Sequence, residues 1–327
     1  MHASSSCGRT SLGGLLQPYS VSSLTSGSSM YDLTRNIFNT SQLAVACGGF
    51  SDVFVGDLVL PKMNDAFIAP ISCKVGIKVI RAFTDSGQRD KQKAIKRLNR
   101  EVCVFQRLHH ANIARFLGVS YHMADHPAII MEWYELGDAM RYLNNRPGSP
   151  LEERLKLVSG VLHGLLYLHT LDPAIVHGDL KANNVLVSTK HEAVLTDFGL
   201  SKVVEDLNTA AGSSTTTVGA GSLRWKAPEL LKIPMSESVN VTLASDVWAF
   251  GCTTYQLLTV TIPYSLHKYP HVIETSILGG VLPFDEADPV AQVPSGMWDI
   301  ASKCWTPKAG DRPTMDELAR SLGKYFI

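Results

Sequence analysis

The stretch Ile175–Lys202, IVHGDLKANNVLVSTKHEAVLTDFGLSK, constrains this chain more than any other. It places His177, Asp179, Lys181 and Asn184 in one short loop, and Asp-Phe-Gly at 197–199 on the far side of a predicted hairpin. Asp and Asn are ordinary turn formers, so any one of them alone is weak evidence. Four polar groups at these spacings followed by a second carboxylate suit one chemistry, transfer of a phosphoryl group from ATP. One acidic residue meets the attacking hydroxyl, while an amide and a second carboxylate hold Mg²⁺ against the phosphates.

Composition narrows the remaining possibilities. A chain of 327 residues with 45% hydrophobic and 18% charged residues buries a large core in one domain or two lobes. The 30 basic and 30 acidic residues balance, so no global charge points to nucleic acid or an anionic membrane. Cysteines at 7, 47, 73, 103, 252 and 304 have irregular gaps and no CxxC spacing. That disfavours a disulfide framework or zinc site and favours an intracellular, cytoplasmic setting. No apolar run has the length of a membrane span or the form of a secretory leader.

Residues 1–35 are rich in Ser, Gly and Thr and read as a flexible tail. Residues 36–131 then read as strands broken by one helix. Strands are expected within Ala44–Leu60, at Lys74–Arg81, at Val119–Tyr121 and at Ala128–Met131. Apolar residues at 94, 95, 98, 102 and 105 put a helix over Lys91–Leu108. Helices dominate 135–325. Ser149-Pro150-Leu151-Glu152 reads as a Ser N-cap with Pro at the first helical position and Glu closing a capping box. Leu243–Leu258 is apolar nearly all round and is expected to be a buried central helix. Short strands are expected at Val185–Val187 and Ala193–Thr196, and closing helices at Met297–Cys304 and Met315–Leu322.

The motifs, in this order, resemble those of the eukaryotic protein kinases, specifically the tyrosine-kinase-like group of serine/threonine kinases. The resemblance covers about residues 40–325 and rests on VGIK at 75–78, Glu101, HGDLKANN at 177–184, Asp-Phe-Gly at 197–199, Ala-Pro-Glu at 227–229, SDVWAFG at 245–251 and Asp311-Arg312-Pro313-Thr314. It implies an α+β fold of two lobes: a small antiparallel β N-lobe with one helix (about 36–131) and a larger, mainly helical C-lobe (about 135–325). It also implies ATP and Mg²⁺. Asp179 orients the acceptor hydroxyl, Lys181 neutralises charge on the γ-phosphate, and Asn184 and Asp197 ligate Mg²⁺. Lys78 pairs with the α/β-phosphates and is held by Glu101. Ala46, Gly48, Gly49, Ser51 and Val53 cover the phosphates. Met131 is the gatekeeper, the backbones of Glu132 and Tyr134 meet adenine, and Asp138 reaches the ribose. Lys181 and Ser222 favour Ser/Thr acceptors on proteins and a role in signal transduction. Asp246 is expected to brace the catalytic-loop backbone, and Arg312 to pair with Glu229.

Two departures stand out. Only the middle glycine of GxGxxG is kept, with Ala46 and Ser51 at the outer positions. Gly178 replaces the usual arginine before the catalytic Asp, which removes a clamp for an activation-loop phosphate. The cluster Ser213, Ser214, Thr215, Thr216 and Thr217 is a candidate for autophosphorylation all the same. The departures leave open a pseudokinase scaffold. His-Gly-Asp also resembles small-molecule kinases of the choline and aminoglycoside type, which lack the motifs at 221–229, 245–251 and 311–314.

Overall fold

A computed structural model describes residues 32–47, 51–60, 71–80, 102–123, 128–197, 202–203, 220–231, 241–284 and 293–326. The expectations for the tail before Asp32, for Gly48 and Gly49, for Glu101 and most of its helix, for Phe198 and Gly199, and for Ser213–Thr217 lie outside them.

The N-terminal lobe is built on a six-stranded antiparallel sheet. Its strands are β1 (Ile37–Phe38), β2 (Ala46–Cys47), β3 (Ser51–Leu60), β4 (Ile71–Ile80), β5 (Phe116–Ser120) and β6 (Ala128–Glu132), in the order β1-β3-β4-β6-β5 with β2 also on β3. Side chains alternate between faces with a period of two. On β4 this sends Val75, Ile77 and Val79 to one face, where they pack with Leu33, Ile37, Leu58, Leu117 and Ile130. The opposite phase carries Gly76 and Lys78, directly across from Met131 and Ile129 of β6. The described part of the expected helix, 102–106 (α1), buries Val102, Val104 and Phe105 against that second face.

Among the described residues, some that precede the expected tail boundary at 35 are already packed. Leu33 is buried, and its N–H donates to the Val119 carbonyl at 2.8 Å. A Leu in a Ser/Gly-rich neighbourhood is placed by its long-range partner and not by local composition. Strand β5 also starts earlier than expected, at Phe116, with an irregularity in register between Phe116 and Gly118.

The C-terminal lobe comprises α2 (Ala139–Asn144), α3 (Leu151–Thr170), α4 (Leu243–Thr259), α5 (Pro270–Leu278), α6 (Ser295–Ser302) and α7 (Met315–Leu322). Sequence reasoning missed α2 and α5, both short. Each nonetheless had a local signal, an Asp N-cap at 138 and Pro at the first position of α5. The start of α3 needs correction. Pro150 is the N-cap residue with φ −56° and ψ 150°, its carbonyl accepts from Arg154 N–H at 3.3 Å, and no side chain caps the helix. The expected Ser149 cap and Glu152 capping box therefore do not form. Glu153 goes instead to the Tyr142 hydroxyl and to Arg146.

Helix α4 is the axis of this lobe, with every residue from Ser245 to Thr259 buried. A reciprocal capping box between Thr242 and Ser245 sets its start. Its burial on all sides, not amphipathicity, makes it helical in this place, as the continuous apolar pattern predicts. Helix α3 packs beside it through Leu157, Val158, Val161, Leu162, Leu165 and Leu168, all essentially inaccessible.

Two small sheets complete the scaffold: β7 (Ile175–Val176) with β10 (Lys202–Val203), and β8 (Val185–Val187) with β9 (Ala193–Leu195). The second lies directly on α3. A Cβ on Gly160 would come within 2.9 Å of Ala193 Cβ, and one on Gly164 within 2.8 Å of the Asn112 carbonyl. Two glycines one helical turn apart thus let the hairpin and the Asn112 loop seat against the helix backbone.

Candidate active site

Asn184 immediately precedes β8, and Asp197 follows β9 by two residues. Antiparallel pairing of Val185 with Leu195, and the bond from Thr196 N–H to the Asn184 carbonyl at 3.0 Å, bring these two ends together. The turn between the strands, with His191 at φ +59°, lies at the other end. A local hairpin therefore juxtaposes an amide and a carboxylate that are 13 positions apart.

The loop before β8 is shaped from beneath by Asp246 of α4, which is 1% exposed. Its Oδ2 accepts from His177 N–H at 2.7 Å and its Oδ1 from Gly178 N–H at 2.9 Å. His169 Nε2, at the end of α3, lies 3.0 Å from Oδ2. Gly178 has φ +80°, a left-handed conformation that costs a residue with a Cβ about 1 kcal/mol or more. Here glycine suits the bend that turns two consecutive N–H groups onto one carboxylate. Gln256, also on α4, adds an acceptor for Ala182 N–H at 3.2 Å.

On this base Asp179, Lys181 and Asn184 form one polar cluster. Lys181 Nζ donates to Asp179 Oδ2 at 2.8 Å and to Ser222 Oγ at 2.9 Å. Asn184 Nδ2 donates to the Asp179 carbonyl at 2.7 Å and to Asp179 Oδ2 at 3.1 Å. The amide nitrogen is thus committed to Asp179, and Asn184 Oδ1 makes no hydrogen bond among the described residues. His177 is fully buried, and its Nδ1 accepts from Asp179 N–H at 3.3 Å. Burial pushes the His177 imidazole below its usual range, against the pull of Asp246, Asp179 and Asp197.

Across the cleft, Lys78 reaches down from β4 to Asp197, with Nζ 2.8 Å from Oδ1. The Lys78 side chain is 7% exposed and that of Asp197 41%. The Lys78 ammonium holds the Asp197 carboxyl below the usual carboxylate range; burial works the other way, and Lys181 adds to the lowering. Asp197 itself has φ +63°, which turns its side chain away from the path of β9. These two residues are 119 positions apart.

The remaining expected residues that are described lie on strands β2, β3 and β6 of the N-terminal lobe or in the segment that follows β6. Val53 on β3 is opposite both Ala46 and Lys78, and its Cγ1 lies 3.9 Å from a Cβ built on Gly76. Ser51 is buried in the sheet opposite Ile80. Met131, 8% exposed, ends the buried run of β6, and Glu132 N–H donates to the Arg115 carbonyl at 3.0 Å. The Tyr134 carbonyl accepts from Gly137 N–H at 3.0 Å. Its phenol, raised by burial, donates to Glu132 Oε2 at 3.4 Å. Asp138 Oδ1 accepts from Met140 and Arg141 N–H, both at 3.1 Å, so part of this carboxylate caps α2.

The segment after Ser222 is anchored at both ends. Arg224 donates to the carbonyls of Pro263, Tyr264 and His267 at 2.9, 2.5 and 2.7 Å. Glu229 receives both arms of Arg312, each at 2.7 Å, and the guanidinium lies 5.1 Å from the Trp248 ring centroid. Sequence reasoning did not pick out Lys226 between these anchors, Gln256 or His169. Nothing local marks them, since their partners are supplied by other segments.

Residues 41–322 match the family described as protein tyrosine and serine/threonine kinase. Calmodulin-binding receptor-like cytoplasmic kinase 1 of Arabidopsis thaliana is 30% identical over 306 residues, 88% of this chain and 59% of that protein. Ephrin type-A receptor 7 of Gallus gallus is 27% identical over 86% of this chain and 26% of its own length. Receptor-interacting serine/threonine-protein kinase 3 of Rattus norvegicus is 28% identical over 71% of this chain and 49% of its own length. The chain therefore spans between a quarter and three fifths of these curated relatives.

Proposed function

Since this chain belongs to the protein tyrosine and serine/threonine kinase family, we propose that it is an active, ATP- and Mg²⁺-dependent protein kinase of the tyrosine-kinase-like group, directed at Ser and Thr. The observation that carries the proposal is the convergence of Asp179, Lys181, Ser222 and Asn184 beside the Lys78–Asp197 pair.

The residues present fit Mg²⁺, a hard cation that prefers oxygen ligands. Asn184 Oδ1 and the second oxygen of Asp197 are oxygen donors without a hydrogen bond among the described residues, on the adjoining ends of one hairpin. When bound, Mg²⁺ neutralises charge on the β- and γ-phosphates. The acceptor hydroxyl attacks the γ-phosphorus, the bond to the β,γ-bridging oxygen breaks, and ADP leaves. Asp179 takes up the hydroxyl proton. Lys181 meets the charge on the transferring group, and Lys78 the α/β-phosphates. Glu101 serves as the partner of Lys78. Ala46, Gly48, Gly49, Ser51 and Val53 roof the phosphates. Met131 and the backbones of Glu132 and Tyr134 frame the adenine, and the Asp138 oxygen not used in capping meets the ribose.

The bond from Lys181 to Ser222 supports the Ser/Thr preference, because it builds a hydroxyl into the acceptor side of the site. The printed names of two relatives, a receptor-like cytoplasmic kinase and a serine/threonine-protein kinase, agree with the acceptor and an intracellular setting. No helix among the described residues is long and apolar enough to cross a membrane. The bend at Gly178 leaves the Asp246 contacts in place, so its effect falls on control of the activation segment, with phosphate placed in cis on Ser213–Thr217. The test is a peptide array offered Mg-ATP, with Ser, Thr and Tyr acceptors. The expected result is phosphoserine and phosphothreonine on the array and phosphate on 213–217 by mass spectrometry. Phosphotyrosine alone refutes the acceptor assignment, and no transfer to any peptide favours a scaffold.

A further inference from the structure

Lys226 has no place in the reaction described above, and its surroundings are unusual for a lysine. Its N–H donates to the Leu223 carbonyl at 3.1 Å, and its neighbours Trp225 and Ala227 are buried. The side chain is only partly exposed. Among the described residues its ammonium makes no hydrogen bond and no ion pair. A structural lysine this far from water ordinarily finds a carboxylate, because an unpaired charge is costly to desolvate.

The groups that face it are those of the transfer site. Asp179 attracts the ammonium and Lys181 repels it. Asp179 is already engaged by Lys181 and Asn184, and Asp197 by Lys78. The acceptor side of the cleft therefore holds two ammonium groups, Lys181 and Lys226, against one carboxylate, Asp179. Burial dominates at Lys226, and its ammonium is pulled down to about 8 despite Asp179. The backbone on either side is pinned, by Ser222 on Lys181 and by Glu229 on Arg312. The segment is fixed on both sides of Lys226, and its ammonium has no ion-pair partner among the described residues. A peptide whose hydroxyl reaches Asp179 must run past this segment.

We propose that Lys226 is a specificity-determining residue, which receives an anionic group carried by the protein substrate directly beside its phosphoacceptor hydroxyl. The anion is a carboxylate or a phosphate, since both accept a charge-assisted hydrogen bond from an ammonium. This inference rests on the protein-kinase reading of the same site. It makes the preferred substrate an acidic or already phosphorylated Ser/Thr segment.

The experiment compares kcat/KM for peptides that carry Asp, phosphoserine or Ala beside one Ser acceptor. It uses the full chain as wild type, Lys226→Met and Lys226→Arg. Wild type is expected to prefer an anionic neighbour over Ala about tenfold, the size of one charge-assisted bond. The ratio is expected to approach one in Lys226→Met and to persist in Lys226→Arg. In wild type the Asp/Ala ratio is also expected to fall as pH rises through about 8, with Asp179 and Lys181 common to both peptides. That arm needs no variant to fold. The Asp and phosphoserine arms tell which anion is used. A ratio unchanged in Lys226→Met overturns the inference while leaving the kinase reading intact. So does an equal loss on all three peptides, which would assign Lys226 to the transferring phosphate. Absence of transfer by wild type to any peptide removes the kinase reading and this inference with it.

Discussion

Asp246→Asn changes one atom beneath the catalytic loop and keeps the side chain's shape. In wild type two carboxylate oxygens serve three donors: His177 N–H at 2.7 Å, Gly178 N–H at 2.9 Å and His169 Nε2 at 3.0 Å. Asparagine has one acceptor oxygen. If it stays on the His177 and His169 side, the new amide nitrogen faces Gly178 N–H, donor against donor. One charge-assisted bond, worth ~1.5–3 kcal/mol, is lost and a partly buried N–H is left without its acceptor. The two surviving bonds also lose their ionic character. Relief of burying an anion offsets part of this. The net destabilisation is ~3 kcal/mol, or a melting temperature about 6 °C lower at ~2 °C per kcal/mol for a chain of this size. Because the bend at Gly178 also places Asp179, kcat is expected to fall at least tenfold with little change in KM for ATP. Far-UV circular dichroism melts and initial rates on one peptide measure both. A variant that melts within 1 °C of wild type with unchanged kcat would refute the view that Asp246 shapes the loop.

Gly178→Ala places a Cβ at φ +80° and is expected to cost ~1–2 kcal/mol, read as a lower midpoint in urea with the slope unchanged. Removing one partner of the Arg312–Glu229 pair is expected to cost ~3 kcal/mol, and the double variant Arg312→Met/Glu229→Gln less than the sum of the singles. An additive cycle would contradict a coupled pair. His177 supplies a pH dependence. Its folded-state pKa lies below its unfolded value, so the unfolded chain binds the extra proton and stability falls as pH drops below about 6.5. The slope from this residue approaches ~1.4 kcal/mol per pH unit until its folded pKa is reached. Melts of wild type and His177→Gln at pH 7 and 5.5 check it, with a smaller drop expected in the variant.

Local patterns carried the elements whose periodicity is long. Helices α3 and α4 and strands β4 and β6 are legible because their apolar positions repeat many times. Helix α7 (Met315–Leu322) is legible for a further reason, a Thr314/Glu317 capping box in its own sequence. Helix α2, six residues long, offers one turn of pattern and a single cap, too little to stand out from loop. The start of α3 lies one residue later than the Ser-Pro pattern indicates, because Pro150 has ψ 150° and stands outside the helix as an N-cap with no side-chain bond. The candidate site divides in the same way. Asp179, Lys181 and Asn184 lie within six residues, so their spacing shows in the text. Lys226 and Gln256 matter through neighbours at least 40 positions away, and only the fold brings those neighbours to them. Gly178 reads in sequence as a missing arginine. The geometry adds that a left-handed residue is needed there.

The central claim is that Asp179, poised by Lys181 and Asn184, takes part in phosphoryl transfer to protein. Incubation of the purified chain with γ-labelled Mg-ATP and a Ser/Thr peptide, beside Asp179→Asn purified in parallel, tests it most directly. The expected result is label on the wild-type peptide and a rate at least 100-fold lower in the variant, on the order of the loss of a positioned general base. Equal incorporation by both proteins would contradict the claim.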